Sequence, residues 1–433
     1  MKLYIDNSYS QLTGLTTEQF SEIRKILSYE VDKQQAYFSG SYKTRRYLID
    51  KKGCFPTGLL YYVRDWALNS GLYPIDVINK RSRPTNRVDI DCRLQHEPYE
   101  DQNRAVEYAC EMERGTISMV TGYGKSVVIA RLIDSFKLKT LVIVPNLQLK
   151  HQLKTSFKQW FGANDNITVE NIDNPSLFKM TDYDVLIIDE SHHVAAKTYR
   201  LLNKKAWNKI YYRFFLTATP FRSKDEEQML MEGISGQVFF EVGYHSAVAQ
   251  DAIVPVEAYY VELPKTPNGL RTWPEVYNKL VVNNSARNHI IAEMLKNLKD
   301  QGKSTLCLVK EIAHGKKLSE LTGIPFACGE DENSIELIAN FNSKASGSLI
   351  ATTGVCGEGV DTKPAEFIVI AGLGRSRNAL AQQIGRGLRK YPGKTSAKII
   401  IFKDKSHKHT LTHFKDQYKL IKERYGVEPI ELK

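Results

Sequence analysis

Two short segments of the sequence carry side chains suited to phosphate chemistry, and the first is a glycine-rich loop at 122–126. It reads GYGKS, follows an apolar stretch and precedes the apolar run VVIARLI. Gly122 and Gly124 would let backbone N–H groups approach phosphate oxygens, and the N-terminus of the following helix favours negative charge. In this pattern Lys125 reaches the β- and γ-phosphates of a nucleotide, and the Ser126 hydroxyl is a ligand for Mg²⁺. The alternative is an ordinary glycine turn with a solvated lysine.

The second segment is a pair of carboxylates that ends an apolar stretch. Asp189 and Glu190 follow Val185–Ile188, which predicts a buried strand. Ligands bind at the carboxyl edge of open parallel sheets, so both acids are expected there. Asp189 would hold Mg²⁺, directly or through water, and Glu190 would orient and activate an attacking water. Alone, such a pair also suits a capped turn. His192 and His193 follow, but neighbouring residues point in different directions, which argues against a metal pair.

The elements that must position these side chains alternate between strand-like and helix-like patterns from about residue 94 onwards. Such alternation predicts parallel sheets flanked by helices, and therefore an α/β fold class. The strand-like runs fall into two series, which suggests two such domains. The candidate strands are Ile117–Val120, Leu141–Val144, Val185–Ile188 and Phe214–Leu216, followed by Thr305–Val309, Ser348–Ala351, Phe367–Ile370 and Lys398–Phe402.

The first 90 residues follow a different pattern, which predicts a small α+β domain. Thr16 is a candidate helix cap, and Gln19 three residues later completes a capping box. A second amphipathic helix is predicted at Gly58–Ser70, and a polar linker at Asn79–Asn86. Other features are strand-like stretches at Ala36–Ser39 and Arg46–Ile49, and basic clusters at Lys43, Arg45, Arg46, Lys51 and Lys52 and at Lys80, Arg81, Arg83 and Arg87.

Composition excludes several classes of protein. The chain has 433 residues, which suggests about three domains. Its 42% hydrophobic and 25% charged residues are typical of globular proteins and exclude collagen-like or disordered chains. The net charge of +11 fits a phosphate-bearing partner without requiring one. No two of the six cysteines lie within four residues of each other, so reduced, intracellular thiols are expected. The N-terminus lacks an apolar signal core, and no apolar run approaches about 18 residues, which predicts a cytoplasmic protein without membrane contact.

Three further motifs follow the loop and the acidic pair in order. They are LTATP at Leu216–Pro220, GEGVD at Gly357–Asp361 and QQIGRGLR at Gln382–Arg389. Together the five segments resemble motifs I, II, III, V and VI of superfamily-two helicases and translocases, over about residues 95–405. The resemblance implies two RecA-like domains with ATP in the cleft between them. Met119 stands where the full loop pattern has glycine, and motif Ib is not recognisable, so details of the first domain depart from the family.

The resemblance also assigns roles in ATP hydrolysis. Arg386 and Arg389 lie three residues apart on an expected helix, so they share a face and can act as arginine fingers at the γ-phosphate. Gln382 and Asp361 would help to sense the nucleotide and close the cleft, and Gly359 would allow close backbone approach. Further matches are Gln102 to the adenine-reading glutamine, Pro145 and Asn146 to the phosphate-gripping motif Ia, Thr217 and Thr219 to the coupling motif III, and Thr352 and Thr353 to the nucleic-acid track of the second domain. For Thr217 and Thr219 the alternative is capping of a strand end.

The subfamily follows from the DESH and TATP variants, which fit DNA-directed members better than DEAD-type RNA helicases. FSEIRKILSYEV, TRRYLID and FPTGLLYYVRDWALNSGLYP resemble the N-terminal domain of the UvsW-type phage helicases. Arg287-Asn288 and His314-Gly315-Lys316 match points in the second half. That family migrates junctions, regresses stalled forks and unwinds recombination intermediates. The resemblance therefore implies ATP and Mg²⁺ as cofactors, branched or forked DNA as partner, and the cytoplasm of an infected bacterial host as location.

Three alternative functions are open at this point. The first is an RNA helicase. The second is the motor subunit of a restriction-type complex, which would need a partner because the chain shows no nuclease constellation. The third is an ATP-gated DNA clamp that does not hydrolyse ATP. A clamp needs no acid that activates water, so the presence of Lys125, Glu190, Arg386 and Arg389 together argues against it.

The predicted organisation has four segments. A DNA-binding accessory domain is expected at 1–90, a first RecA-like domain at 91–225, a connecting region with a hairpin at 226–285, and a second RecA-like domain with a basic tail at 286–433. A strand-separating wedge is expected at 255–270, and a β-element packed on the second domain is the alternative. The aromatic residues of the wedge and the histidines of the tail are Tyr259, Tyr260 and Trp273, and His407, His409 and His413. No acid or cysteine completes a metal set in the tail, so a basic helix over His413–Tyr425 is expected there.

Overall fold

The computed structural model describes residues 1–432 outside the ranges 31–44, 221–224, 345, 356–361, 363 and 373–376. Contacts between Cα atoms group residues 1–119 and 124–242 into one compact unit, and residues 120–123 and 243–433 into a second. The boundaries of the four segments predicted from the sequence stay a prediction.

The N-terminal part of the first unit has a mixed four-stranded sheet in the order β5-β2-β1-β6 and a two-stranded ribbon of β3 and β4. The helix α1 starts as the sequence predicts, because the Thr16 hydroxyl accepts from the Gln19 N–H and the Gln19 side chain accepts from the Thr16 N–H. The elements are β1 Lys2–Ile5, β2 Tyr9–Thr13, α1 Thr17–Ile26, β3 Ser28–Glu30, β4 Arg45–Tyr47, β5 Cys54–Pro56, a 3₁₀ turn Thr57–Leu59, α2 Leu60–Asn69 and β6 Asp76–Asn79.

The rest of the first unit is built on a six-stranded sheet in the order β12-β7-β11-β10-β8-β9, in which every paired strand is parallel. Its central strands are mostly apolar and are buried along their whole length, as expected for a parallel sheet covered on both faces. The elements are α3 Glu100–Met112, β7 Arg114–Met119, α4 Lys125–Phe136, β8 Thr140–Val144, α5 Leu147–Phe161, β9 Ile167–Asn171, 3₁₀ turns Pro175–Lys179 and Ser191–His193, β10 Val185–Ile188, α6 Lys197–Lys205, β11 Tyr212–Thr217, α7 Asp225–Ser235 and β12 Val238–Val242.

The second unit has a seven-stranded sheet in the order β15-β16-β14-β17-β18-β13-β19, again with parallel pairs. The predicted α/β class with two parallel-sheet domains after a small α+β domain is therefore confirmed. The elements are α8 Tyr244–Ala249, β13 Val256–Glu262, α9 Trp273–Val276, a π-helical turn Tyr277–Val282, α10 Ser285–Asp300, β14 Thr305–Val309, α11 Ile312–Thr322, β15 Phe326–Ala327, α12 Ser334–Ser343, β16 Ser348–Thr352, β17 Phe367–Gly372, α13 Arg377–Gly387, β18 Ala397–Lys403, α14 Lys408–Tyr425 and β19 Ile430–Glu431.

Within the connecting region, the stretch 255–270 forms one strand, β13, and no hairpin. All seven residues of β13 pair in parallel with β18, and residues 263–272, all of them described, contain no second strand. The apolar sequence of β18 offers a complete edge for this pairing, so a local turn is not needed to satisfy the strand. Tyr260 packs on Phe414 at 5.4 Å between ring centroids, and Trp273 packs on His413 at 4.0 Å. These aromatic side chains therefore fit the alternative of a β-element packed on its own domain rather than a wedge.

The C-terminal helix is longer than the sequence indicated. It spans Lys408–Tyr425, and His407 caps it by accepting the backbone N–H of His409 at its ring Nδ1, 3.2 Å away. This capping role, with the packing of His413 on Trp273, gives two of the three tail histidines a structural task.

The N-terminal sheet joins the first parallel sheet through a buried polar contact that the sequence did not reveal. The guanidinium of Arg213, on β11, donates to Ser8 Oγ at 3.1 Å and to Asn203 Oδ1 at 2.7 Å. Arg213 is only 2% exposed, so each of these bonds replaces water that the charge would otherwise need. Ser8 in turn donates to the Asn203 carbonyl at 2.7 Å. One side chain of the first parallel sheet therefore fixes the position of the N-terminal sheet.

The segment Asn79–Asn86, which the sequence predicts to be a linker, is bound to the first unit by its arginines. Arg83 donates to the Tyr212 hydroxyl at 2.9 Å and pairs with Glu113 at 3.3 Å, while Arg81 stacks over Tyr211 at 5.0 Å. Two members of the second basic cluster are thus engaged within the protein. This is a structural role that the charge pattern alone did not predict.

Candidate nucleotide site

The glycine-rich loop joins the end of β7 to the start of α4, as the sequence predicts. Gly122 and Gly124 have φ of +93° and +87°, conformations that side chains with a Cβ rarely adopt. Gly124 is the N-cap of α4 and supplies no side-chain hydrogen bond to the first turn. The N–H groups of that turn therefore lack a side-chain cap, which is the arrangement that binds phosphate at helix N-termini. Met119, in place of the usual glycine, is fully buried at the end of β7.

Gln102, on α3, lies against this loop. Its side chain accepts the backbone N–H of Tyr99 at 2.9 Å and donates to the Gly124 carbonyl at 3.4 Å. A Cβ added at Gly124 would lie 2.7 Å from Gln102 Nε2, so the Gln102 side chain would have to shift if this position carried any other residue. The residue matched to the adenine-reading glutamine therefore lies beside the phosphate loop, where it also caps its own helix.

The lysine of the loop and the acidic pair meet at the carboxyl edge of the sheet. Lys125 Nζ lies 2.5 Å from Glu190 Oε1, and the two side chains are 11% and 16% exposed. Asp189, which directly follows β10, accepts the Glu190 N–H at 2.8 Å. Glu190 has a φ of +48°, and such a left-handed conformation costs a non-glycine residue about 1–3 kcal/mol. The strained turn brings the Glu190 carboxylate to the lysine of the phosphate loop.

The protonation of Glu190 follows from these neighbours. Burial acts to raise the pKa of its carboxyl, but the Lys125 ammonium and the hydrogen bond from His192 act against it, and the net pKa lies below its ordinary value. Glu190 is therefore a carboxylate at neutral pH. An ionised carboxylate next to a phosphate loop can accept a proton from water, which is the chemistry that hydrolysis of a nucleotide needs.

His192 extends this site to the neighbouring strand, a connection that the sequence reasoning missed. Its Nδ1 lies 3.3 Å from Glu190 Oε2 and 3.3 Å from the Thr217 hydroxyl at the end of β11. The Thr217 hydroxyl also accepts the N–H of Thr219 at 3.1 Å. A continuous polar path thus runs from Lys125 to motif III. The signal in the sequence is the position of His192 two residues after Glu190. From the sequence alone, this histidine is considered only as a possible metal ligand.

The candidate track residues have local structural partners. Asn146 accepts the N–H of Leu149 at 2.9 Å and caps α5, next to Pro145. Thr352, at the end of β16, accepts the N–H of Val355 at 3.4 Å, and the N–H of Thr353 donates to Val309. Thr217 and Thr219 are buried. Their contact with nucleic acid stays a prediction.

The residues expected to complete the site from the second domain lie on or after α13. Gln382 and Arg386 are on this helix, Arg386 is 6% exposed, and Arg389 follows the helix and forms a β-bridge with Ile253. Gly359 and Asp361 fall outside the described residues. The arginine-finger roles stay a prediction.

Two further facts hold for the described part of the chain. No group of three or more His, Cys, Asp and Glu side chains is arranged to hold a metal ion. Likewise, none of the helices described has the length and apolar character needed to cross a membrane.

Comparisons with known proteins agree with the geometry. The family model described as the res subunit of type III restriction enzymes matches residues 95–182 and 167–222. The ATP-dependent DNA helicase uvsW of Enterobacteria phage T4 is 22% identical, with 88% of this chain and 86% of that protein aligned. The DNA 3'-5' translocase XPB2 of Sulfurisphaera tokodaii is 24% identical over 67% of this chain and 78% of that protein.

The fold has matches among solved structures. A fragment of a putative HsdR subunit of a type I restriction enzyme from Vibrio vulnificus YJ016 has a TM-score of 0.58 at 17% identity, covering 96% of this chain and 83% of that chain. At this identity the match supports the fold alone and not a shared function. The ordered motifs, the Lys125–Glu190 site and the aligned relatives together support an ATP-dependent helicase, similar to superfamily-two helicases and to the UvsW-type phage helicases among them.

Proposed function

We propose that this helicase uses ATP hydrolysis to unwind or branch-migrate branched DNA, such as forks, Holliday junctions and recombination intermediates. The observation that carries the catalytic part is the 2.5 Å contact between Lys125 and Glu190 at the carboxyl edge of a parallel sheet. The proposal of branched DNA is supported by the alignment with the phage helicase, which extends over 88% of this chain. The corresponding roles are in recombination and repair of DNA in the cytoplasm of an infected bacterium.

The residues have distinct tasks in this proposal. Lys125 leaves Glu190 and binds the β- and γ-phosphates of ATP, and Glu190 is then free to take a proton from the attacking water. Arg386 and Arg389 stabilise the charge that develops on the γ-phosphate, with Gln382 and Asp361 sensing the nucleotide. The path through His192 to Thr217 and Thr219 couples the state of the phosphate site to motif III.

The chain's donor set fits a magnesium ion. Mg²⁺ uses few protein ligands, binds oxygen, and takes its remaining ligands from water and substrate phosphates, so a cluster of three acids is not required. Ser126, in the first turn of α4, and Asp189, 9% exposed beside the loop, would hold it. When bound, Mg²⁺ neutralises charge on the phosphates of ATP.

The test is steady-state ATP hydrolysis by the full chain in five conditions. These are no nucleic acid, single-stranded DNA, linear duplex, a four-way DNA junction and RNA, each with Mg²⁺. We expect DNA to stimulate hydrolysis, most strongly as a junction, and Lys125→Ala to abolish activity in every condition. A strand-displacement assay on the same junction then checks that hydrolysis is coupled to remodelling.

The other outcomes are equally informative. Stimulation by RNA in preference to DNA would replace this proposal with an RNA helicase. Equal rates in all five conditions would contradict the coupling to DNA. Junction remodelling by Lys125→Ala at the normal rate would contradict the ATP-driven mechanism.

A second candidate function is the motor subunit of a restriction-type complex. It is favoured by the match to the res-subunit family model over residues 95–222 and by the fold shared with the HsdR fragment. Equal stimulation by linear duplex and by the four-way junction, without strand displacement, would favour this candidate.

A further inference from the structure

Three buried side chains of the second unit converge on one short piece of backbone at the carboxyl end of β17. Arg287 Nη2 donates to the Ala371 carbonyl at 2.7 Å, and the Tyr277 hydroxyl donates to the Gly372 carbonyl at 3.2 Å. The third is His314, since a Cβ built at Gly372 would lie 3.0 Å from His314 Nδ1 and 3.0 Å from the Tyr277 oxygen. Neither ATP binding nor the proposed DNA track uses these side chains.

The backbone that they hold is irregular. The register between β14 and β17 pairs Leu308 with Ile370 and then Val309 with Gly372, so Ala371 is an extra residue in the ladder. Such a bulge leaves a peptide group unpaired and turns the strand end, and bulges are enriched beside active sites. Here the Arg287 guanidinium takes the place of the missing ladder partner. The bulge is therefore fixed by side chains rather than by the sheet.

The side chains come from three separate elements, which makes the arrangement rigid. Tyr277 begins the π-helical turn, Arg287 lies in the first turn of α10, and His314 lies in α11. Asn288, also on α10, links this helix to the other two elements. It donates to the Val282 carbonyl of the π-helical turn and accepts from His314 Nε2 of α11, each at 3.0 Å. Tyr277, Arg287 and His314 are all less than 8% exposed.

The segment that follows is α13, the helix with Gln382 and Arg386. It starts at Arg377, soon after Gly372, and it lies directly on β17 at its other end. A Cβ at Gly387 would come within 1.9 Å of Ile368 Cδ1, so the helix touches the strand with no room for a side chain. The position of α13 thus depends on β17, on which the C-terminal end of the helix packs.

We propose that Tyr277, Arg287 and His314 are positioning residues for ATP hydrolysis, which hold the bulge at Ala371–Gly372 and thereby fix the helix that carries Gln382 and Arg386. The inference rests on the proposed function, in which Arg386 stabilises charge on the γ-phosphate. A loosened strand end lets α13 shift, and a small misplacement of a charge-stabilising group lowers the turnover rate without weakening ground-state binding. The three residues act through α13 and do not touch the nucleotide.

The central experiment is Tyr277→Phe, which removes one hydroxyl and keeps the ring. We expect kcat for DNA-stimulated ATP hydrolysis to fall about 3- to 10-fold, as for the loss of one hydrogen bond, with KM for ATP unchanged. The control is Tyr183→Phe in the first unit, which removes a partly buried hydroxyl that donates to Thr168 Oγ1 at 2.9 Å. The control should keep the full kcat.

A second variant changes the bulge itself rather than one of the side chains that hold it. Gly372→Ala places a methyl group against His314 and Tyr277, so we expect a larger fall in kcat than in Tyr277→Phe, again without a change in KM. Its control is Gly269→Ala, because a Cβ at Gly269 meets nothing within 4 Å. Thermal unfolding of each variant shows that the assay temperature lies below its transition.

The outcomes separate this inference from the proposed function. Full activity of Arg386→Ala would remove the arginine-finger role on which both rest. Loss of activity in Arg386→Ala, together with full kcat and a lowered Tm in Tyr277→Phe and Gly372→Ala, would overturn the positioning role and leave only a structural one. A raised KM with unchanged kcat would also overturn it. In an Arg386→Lys background, the kcat effect of Tyr277→Phe should shrink or disappear, because both act on one step.

Discussion

At the scale of single residues, the chemistry of the site depends on the pairing of Lys125 with Glu190. The sequence placed both in the site, because a glycine-rich loop and an acidic pair are recognisable from residue type and order. It did not reveal their direct contact, nor the role of His192, since both depend on how β7, β10 and β11 lie side by side. The carboxylate of Glu190 is held ionised, so its role as proton acceptor is available throughout the neutral range.

The first residue-scale prediction concerns Glu190→Gln. The change keeps the side-chain size but removes the proton acceptor, so we expect kcat for ATP hydrolysis to fall by about 10²–10⁴-fold. Binding of a fluorescent ATP analogue should persist, because Lys125 remains for the phosphates. The control is Glu170→Gln, which breaks a Lys150–Glu170 pair of similar burial, 2.7 Å long, on the same sheet. Equal losses in both variants would show that the effect is structural.

The second residue-scale prediction concerns pH and His314. Burial, followed by the charges of Arg287 and Lys317, lowers the pKa of His314 to about 3. The unfolded chain therefore binds a proton at pH values between about 6.5 and 3 that the folded chain does not, and folding stability falls as pH drops through that window. The slope from this group is at most about 1.4 kcal/mol per pH unit. In His314→Gln, denaturant unfolding at pH 7.5 and at pH 5 should differ less than in the parent chain. The same difference in both proteins would contradict a buried, neutral imidazole.

At the scale of elements, the eight strands predicted for the two parallel sheets all occur, with ends that differ by a few residues. These runs are rich in apolar and β-branched residues, and such runs are typical of strands buried on both faces of a sheet. The strands that were missed are edge or partly exposed ones such as β9, β12 and β13. The sequence predicts a hairpin around PVEAYYVELPKTPNGL, whereas the structure forms β13 alone in that stretch. Its parallel partner β18 lies more than 130 residues further along the chain, a pairing that local patterns do not encode.

The third prediction tests how the N-terminal elements dock. The 3₁₀ turn Thr57–Leu59 packs on α7. Next to it, Tyr61 and Tyr62 at the start of α2 both donate to Glu232 Oε2 of α7, at 2.6 and 2.9 Å. A Cβ at Gly58 would lie 2.1 Å from the Glu232 carbonyl oxygen, a backbone atom that cannot move aside cheaply. We expect Gly58→Ala to lower the free energy of unfolding by about 1–3 kcal/mol. Chemical denaturation measures the loss, and Gly269→Ala, made in open space, should cost far less. Equal stability of the two variants would mean that this contact is loose.

At the scale of the whole molecule, the N-terminal domain and the first parallel sheet form one compact unit. The sequence pattern predicts two separate domains instead, because the polar stretch after residue 79 is typical of a linker and its basic residues are typical of a solvent-exposed surface. The arginines of that stretch instead bind tyrosines of β11 and its preceding residue, and Arg213 reaches back to Ser8. Long-range contacts of this kind leave no periodic trace in a sequence. Any DNA held by the N-terminal domain would therefore move with the phosphate loop's own sheet.

The last prediction follows from this joint unit. Because the buried Arg213 donates to Ser8 across the two parts, separating them would remove one hydrogen-bond partner from its guanidinium, which costs about 1.5–3 kcal/mol. We therefore expect the N-terminal domain and the first parallel sheet to unfold together, so that calorimetry of the full chain shows two transitions rather than three. Gly58→Ala, in the N-terminal domain, and Ile187→Val, in the core of β10, should lower the same transition. Ile350→Val, in β16 of the second unit, should lower the other. A third transition that responds to Gly58→Ala alone would show that the N-terminal domain is an independent body, and its grip on DNA would then be uncoupled from the motion of the ATP site.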